Sequence, residues 1–143
     1  MSKIIVSACL LGENCKYNGG NNYSKAVDAF TSYHEVIPVC PEMEAGLGCP
    51  RVPMELVNGV LINAEGVEVD GPVRKAVEAI LERIQGEEIY CAVLKSRSPT
   101  CGVEQVYDGT FTGTLRSGSG VLAQALKEAG IWVMDSDEIG SVF

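Results

Sequence analysis

The sequence predicts a single α/β domain: a Rossmann-like three-layer sandwich with a mainly parallel central sheet, plus a small hairpin. Short apolar runs rich in β-branched residues alternate along the chain with segments of helical periodicity, the pattern of strands joined through helices. The 143 residues are enough for one substantial core and too few for two comfortable ones. No internal repeat, linker or low-complexity tail divides them, so 1–143 reads as one domain.

Each element has its own signal. Lys3-Ile4-Ile5-Val6-Ser7-Ala8 reads as a buried strand over 3–8, followed by a loop over 9–22 that contains Asn18-Gly19-Gly20. Ser24 stands where it can cap a short helix over about 25–32. A second strand covers 36–39, and a long loop over 40–55 holds Pro41, Gly46, Gly48, Pro50 and Pro53. Val60-Leu61-Ile62 and Val67-Glu68-Val69, flanking Asn63-Ala64-Glu65-Gly66, read as the hairpin. Pro72 lies near the first turn of the clearest helix, 72–85, in which Val73, Val77, Ile80, Leu81 and Ile84 recur at helical spacing. Residues 89–94 supply the third parallel strand, and 95–120 are loop-rich, with Gly102, Gly109, Gly113, Gly118 and Gly120. A helix over 120–129 ends at Gly130, and 131–134 form a last strand.

Composition narrows the function. Eleven Lys and Arg against 19 Asp and Glu give a net charge of −8, without the basic footprint of a nucleic-acid binder. That argues against DNA and disfavours RNA as partners, while leaving a nucleobase or nucleoside open. The N-terminal residues pass directly into a strand without a basic region, a long apolar core or a cleavage site. No apolar run approaches the roughly 20 residues of a membrane helix. The expectation is a cytoplasmic protein, away from membranes, with its thiols reduced. The six cysteines are therefore not read as a disulfide framework.

Three of those cysteines fall at telling places. Cys9 and Cys40 each end an apolar run, and Cys101 follows the run 89–94 after a short loop. In an open α/β sheet the carboxyl edge of the strands is where ligands bind. Three soft thiolates converging there suggest a metal or iron–sulfur site with one vacant position; burial of the three by chance is the competing reading. No Cys-x-x-Cys pair is present, which disfavours a zinc ribbon or a thioredoxin-type motif. His34, the single histidine, precedes a strand and reads as a surface residue. Cys91 reads as a small core hydrophobe. Cys15 and Cys49 stay open between extra ligands, resolving thiols and ordinary loop residues.

The remaining candidates each have two readings. Glu42 is either a catalytic carboxylate or a loop cap, and Ser98 either a catalytic hydroxyl or the opener of the turn at Pro99. Lys95 and Arg51 can hold a substrate carbonyl or phosphate, or sit in surface ion pairs. Ser117-Gly118-Ser119-Gly120 can bind an anion at a helix N-terminus or serve as a flexible cap, the preferred reading. Gly109-Thr110-Phe111-Thr112-Gly113 matches neither a phosphate loop nor a dinucleotide fingerprint.

Taken in order, Ser7-Ala8-Cys9-Leu10-Leu11-Gly12, Cys15-Lys16-Tyr17-Asn18-Gly19, Pro38-Val39-Cys40-Pro41-Glu42, Gly46-Leu47, Pro50-Arg51 and Ser98-Pro99-Thr100-Cys101-Gly102 resemble one family, DUF523, which is associated with thiouracil desulfurases. The resemblance runs from about residue 3 to residue 136. It implies a small α/β protein holding a [4Fe–4S] cluster through three cysteines that map onto Cys9, Cys40 and Cys101. The fourth iron would stay open to take the sulfur of a thiolated pyrimidine. It also implies Glu42 and Ser98 as catalytic partners, with Glu42 exchanging protons with water and the leaving group. Relatives with an extra C-terminal domain are associated with removing 4-thiouridine from RNA; lacking that domain and being acidic, this chain is expected to act on a free base or nucleoside. Asn18 stands where an aspartate is common and Ala45 where a glycine is common, small departures that leave the ligand set intact.

The implied function is iron–sulfur-dependent, hydrolytic desulfuration of 2-thiouracil or a related thiopyrimidine to the oxo base, with release of sulfide. Two alternatives are a non-enzymatic iron–sulfur or zinc module acting as sensor or carrier, and desulfuration of 4-thiouridine in tRNA.

Overall fold

In the computed structural model, which describes residues 2–142, the chain runs β1 (Lys3–Ser7), α1 (Lys25–Thr31), β2 (Glu35–Val39), α2 (Pro41–Glu44), β3 (Met54–Val57), β4 (Val60–Asn63), α3 (Asp70–Arg83), β5 (Ile89–Leu94), β6 (Gln105–Tyr107), β7 (Leu115–Ser117), α4 (Val121–Glu128), β8 (Val133–Asp135) and α5 (Ser136–Val142). Four strands pair in the order β2-β1-β5-β8, every neighbouring pair parallel. The central two are apolar on both faces, as a sheet covered on both sides requires: Ile4, Ile5 and Val6 in β1 and Cys91, Ala92, Val93 and Leu94 in β5 have no exposed surface.

Alternation along the strands assigns the faces. Ile5, Ala92 and Leu94 turn to one side, where they meet Val73, Val77 and Ile80 of α3 and Leu122, Ala123 and Leu126 of α4. Ile4, Val6, Cys91 and Val93 turn to the other, against Val27 of α1 and Ile139 of α5. The result is the expected helix–sheet–helix sandwich.

Local signals explain the helices. Ser24 caps α1, its Oγ accepting from Val27 N at 3.2 Å. α3 buries Val73, Ala76, Val77 and Ile80, a single stripe at helical spacing. It begins two residues before Pro72, so the proline sits inside the first turn, where its missing N–H costs nothing. Beyond α4, Gly130 takes the left-handed conformation (φ 80°) that ends the helix.

The structure departs from the sequence expectations in its small elements. The hairpin pairs β3 with β4 around Asn58-Gly59, both at positive φ, and not residues 60–62 with 67–69; the latter pairing survives as a single bridge between Ile62 and Glu68. Asn-Gly is the strongest two-residue hairpin signal, and it displaces the longer connection. The loop 40–55 contains the short helix α2, with Pro41 at its start. The loop 95–120 contains a second hairpin, β6–β7, and the chain continues past the last strand into α5.

The sheet order creates a switch point. From β1 the chain crosses to β2 on one side, then returns past β1 to β5 on the other. The loops leaving the carboxyl ends of β1 and β5 therefore part, opening the crevice in which ligands of such sheets bind.

One docking contact holds that edge together. The first N–H groups of α4 donate to the turn ahead of Cys101: Val121 N to Pro99 O at 3.1 Å and Leu122 N to Thr100 O at 2.7 Å. These donors are thus satisfied by protein, so the 117–120 segment is a cap and not an anion site. Gly120 permits the approach, since a Cβ there would stand 2.4 Å from the Thr100 carbonyl carbon and 2.8 Å from Cys101 N. Gly120→Ala is expected to destabilise the protein by about 1–3 kcal/mol through overpacking, read as a lower urea midpoint at unchanged m-value.

Candidate active site

A cleft of about 720 Å³ opens at the switch point, and Cys9, Cys40, Cys101, Glu42 and Ser98 all line it. Cys9 lies in the 3₁₀ turn Ala8–Leu11 that follows β1, Cys40 is the residue between β2 and α2, and Cys101 lies in the turn after β5. The convergence predicted from strand ends is present.

A hydrogen-bond donor is aimed at one of these sulfurs: Asn22 Nδ2 donates to Cys9 Sγ at 3.4 Å, while Thr100 Oγ1 lies 3.7 Å from Cys101 Sγ. Such a donor suits sulfur that carries negative charge, the state of a metal-bound thiolate. Without a metal, burial holds the Cys101 and Cys40 thiols neutral. Burial pushes the Cys101 thiol up to about 12, with Ser7 and Thr100 hydrogen bonds opposing and the neighbouring Cys9 and Glu42 adding to the rise. Burial likewise raises Cys40.

The two undecided cysteines separate. Cys15 is buried and lines the cleft; its thiol is pushed up to about 12, first by burial and then by Cys40 and Cys9. Cys49 instead donates to Asn14 O at 3.1 Å and does not line the cleft. Cys91 is fully buried under the α1–α5 face, and His34 stacks on Tyr90 at 5.9 Å beside the amino ends of the strands. Both match expectation.

The polar side of the cleft is a connected network. Glu42, the second residue of α2, accepts from Arg51 Nε at 3.0 Å through Oε1 and from Thr100 Oγ1 at 3.0 Å through Oε2. Arg51 is not the surface ion pair or free substrate clamp considered from sequence. Its side chain is 7% exposed and that of Glu42 13%. Its remaining donors bind Gly48 O and Cys15 O, each at 2.9 Å, and its own N–H binds Tyr17 O. One guanidinium thus ties the Glu42 helix, the 48–51 segment and the 15–17 loop together. Ser98 does open the Pro99 turn, its Oγ accepting from Thr100 N at 3.2 Å and Cys101 N at 3.0 Å. Lys95 lines the cleft with its ammonium on Ser96 O and Oγ, both at 3.1 Å.

Sequence reasoning missed the roles of Thr100, Asn22 and the buried Arg51. Burial of a charged loop residue has no periodic signal. The signal for Thr100 is its place between Pro99 and Cys101, inside the segment read for Ser98 and Cys101.

Among the described residues, no three His, Cys, Asp or Glu side chains are close enough to hold a single metal ion. A cluster distributes its ligands over separate irons and needs no such tight trio. Three soft thiols around one cleft, one of them accepting from Asn22, fit an iron–sulfur centre better than a lone hard cation.

Fold and site define a class: a parallel α/β protein with a thiol-lined cleft at its topological switch point, the donor set of a sulfur-ligated metal centre. The family model described as 2-thiouracil desulfurase matches residues 4–138. The chain belongs to this family. The uncharacterized protein YbbK of Bacillus subtilis (strain 168) is 31% identical over 149 residues, covering 97% of this chain and 99% of its own. A solved structure of the [4Fe–4S]-dependent thiouracil desulfidase TudS superposes with a TM-score of 0.89 at 33% identity, covering 99% of this chain and 95% of that one. Family and structural neighbour together point to an iron–sulfur desulfurase. Among the described residues no helix is long and apolar enough to cross a membrane.

The buried ion pair yields a direct test. Arg51→Met keeps bulk but strands the Glu42 carboxylate, so it is expected to cost about 3–5 kcal/mol, the cost of breaking a buried pair, measured by urea unfolding. Arg51→Lys keeps the charge but cannot reach Glu42, Gly48 and Cys15 at once, and a substantial loss is expected there too.

Proposed function

We propose that this protein removes sulfur from a thiolated pyrimidine such as 2-thiouracil by hydrolysis, with Cys9, Cys40 and Cys101 as ligands of a [4Fe–4S] cluster that keeps one iron open. The observation that carries the reading is the sharing of one cleft by the three thiols, Glu42 and Ser98. When bound, the cluster supplies a soft Lewis acid for the substrate's sulfur, polarising the carbon–sulfur bond.

The chain's own residues supply the rest. Tyr17, Tyr107 and Phe111 line the cleft and offer ring faces to a flat heteroaromatic base. Glu42, fixed by Arg51, takes a proton from the attacking water and later returns one to the departing sulfur. Ser98, beside Cys101, passes a proton to the base once Glu42 has taken one from water. The sum is thiocarbonyl plus water giving carbonyl plus hydrogen sulfide, so no electron donor is required. The net charge of −8 favours a small substrate over RNA, and an open cluster calls for a reducing compartment, which we take to be the cytoplasm.

The test is anaerobic reconstitution followed by iron and sulfide quantification and a thiouracil turnover assay on the same sample. Glu42→Gln is expected to keep the iron and sulfide of the parent and lose about 10²–10⁴-fold in kcat, as removal of a general acid–base does. A carrier or sensor would be indifferent to that change, and full activity in the variant contradicts the mechanism.

Loading should also depend on pH. Burial holds Cys101 and Cys40 protonated in the empty protein, whereas cluster ligands are thiolates. Loading therefore releases protons, and cluster uptake is expected to tighten as pH rises between about 7 and 9. Iron retention against a fixed chelator concentration measures it.

A further inference from the structure

We propose that Thr100 is a positioning residue that links Ser98 to Glu42 and carries a proton between them; the inference rests on the desulfurase reading above and names a residue that reading does not use. Thr100 is 1% exposed and sits between the two groups, 3.1 Å from Ser98 Oγ and 3.0 Å from Glu42 Oε2.

The direction of this chain follows from counting donors. Ser98 Oγ already accepts two backbone N–H bonds, from Thr100 and Cys101, so both its lone pairs are engaged. Its own proton is therefore the donor in the contact with Thr100 Oγ1. Thr100 then directs its proton to Glu42 Oε2, an acceptor when ionised; Cys101 Sγ, at 3.7 Å, is the longer alternative. With Glu42 ionised, the order is Ser98 to Thr100 to Glu42.

Protonation of Glu42 reverses it. Once the carboxylate has taken a proton from water it becomes a donor to Thr100. Thr100 Oγ1 gains that proton as its own passes to Ser98 Oγ, and Ser98's own proton passes to the bound base. The two backbone N–H groups on Ser98 Oγ stabilise the negative charge that develops there during the transfer. Each O–H bond broken along the chain is matched by one formed. Of water's two protons, the first passes along this chain to the base, and the second, released as the adduct's hydroxyl becomes the carbonyl, is the one Glu42 returns to the departing sulfur; the base gives up its added proton as the products leave, and no electrons move. A buried hydroxyl at this point lets the proton cross the cleft wall without a bridging solvent molecule.

The test compares Thr100→Val, which keeps the shape and deletes the hydroxyl, with Thr100→Ser, which keeps the hydroxyl. Both are reconstituted anaerobically and followed in single-turnover experiments with thiouracil, alongside iron quantification. Thr100→Val is expected to keep the parent's iron content and KM but slow turnover by about 10–100-fold, less than deletion of a general acid–base, while Thr100→Ser recovers to within about threefold. In the parent, rates in mixtures of light and heavy water should give a curved proton inventory, because several protons move together. Thr100→Ser should keep that curvature. A Thr100→Val variant as fast as the parent, or a serine variant as slow as the valine one, overturns the relay. A linear inventory in the parent overturns it even where Thr100→Val does not fold. Absence of thiouracil turnover in the loaded parent defeats the desulfurase reading itself, whereas turnover indifferent to Thr100 defeats only the relay.

Discussion

β1 hydrogen-bonds to β2 on one flank and to β5 on the other, all three parallel, and the rest of the molecule depends on that arrangement. Parallel pairing brings the carboxyl ends of three strands to one edge, and the order β2-β1-β5-β8 makes the chain part there. A cysteine shortly after each of those ends is enough to gather three thiols in one crevice, although residues 9, 40 and 101 are far apart in sequence. Burial on both faces makes β1 and β5 stiff supports, so the loops that follow them inherit defined positions.

Those loops are then held by polar contacts and not by apolar area. Arg51 fastens the 15–17 loop and the 48–51 segment to α2 through Cys15 O, Gly48 O and Glu42, while Thr100 joins Glu42 to the 98–102 turn. The same turn offers carbonyls to the first N–H groups of α4, with Gly120 allowing the backbones to meet. Among the described residues, every buried side-chain nitrogen or oxygen has a partner. A buried network satisfied in this way is rigid, and its members are costly to remove singly. The cleft thus places Glu42 and Ser98 beside the three thiols without relying on a mobile element.

Much of this was legible in the sequence, for identifiable reasons. Long periodic or continuously apolar segments were read correctly: Lys3–Ser7, Ile89–Leu94 and the stripe Val73, Val77 and Ile80. Strand ends pointed to Cys9, Cys40 and Cys101 because strand boundaries and ligand edges coincide in such sheets. Short elements escaped. α2 has only four residues, but Pro41 followed by Glu42 and Glu44 is a helix start. The β3–β4 turn was announced by Asn58-Gly59, and α5 by Asp135, whose Oδ1 accepts from Asp137 N at 2.8 Å. What sequence cannot carry is side-chain partnership across loops, which is why the Arg51–Glu42 pair and Thr100 emerge only in three dimensions.

The central claim concerns which atoms hold iron. An anomalous difference map at the iron edge, from crystals of anaerobically reconstituted protein, addresses it most directly. The account predicts a four-iron peak in the switch-point cleft, bonded to the sulfurs of Cys9, Cys40 and Cys101, with one iron bearing no cysteine. Iron bound through Cys15 in place of one of these three, a fully four-cysteine cluster, or a single metal ion elsewhere would contradict it.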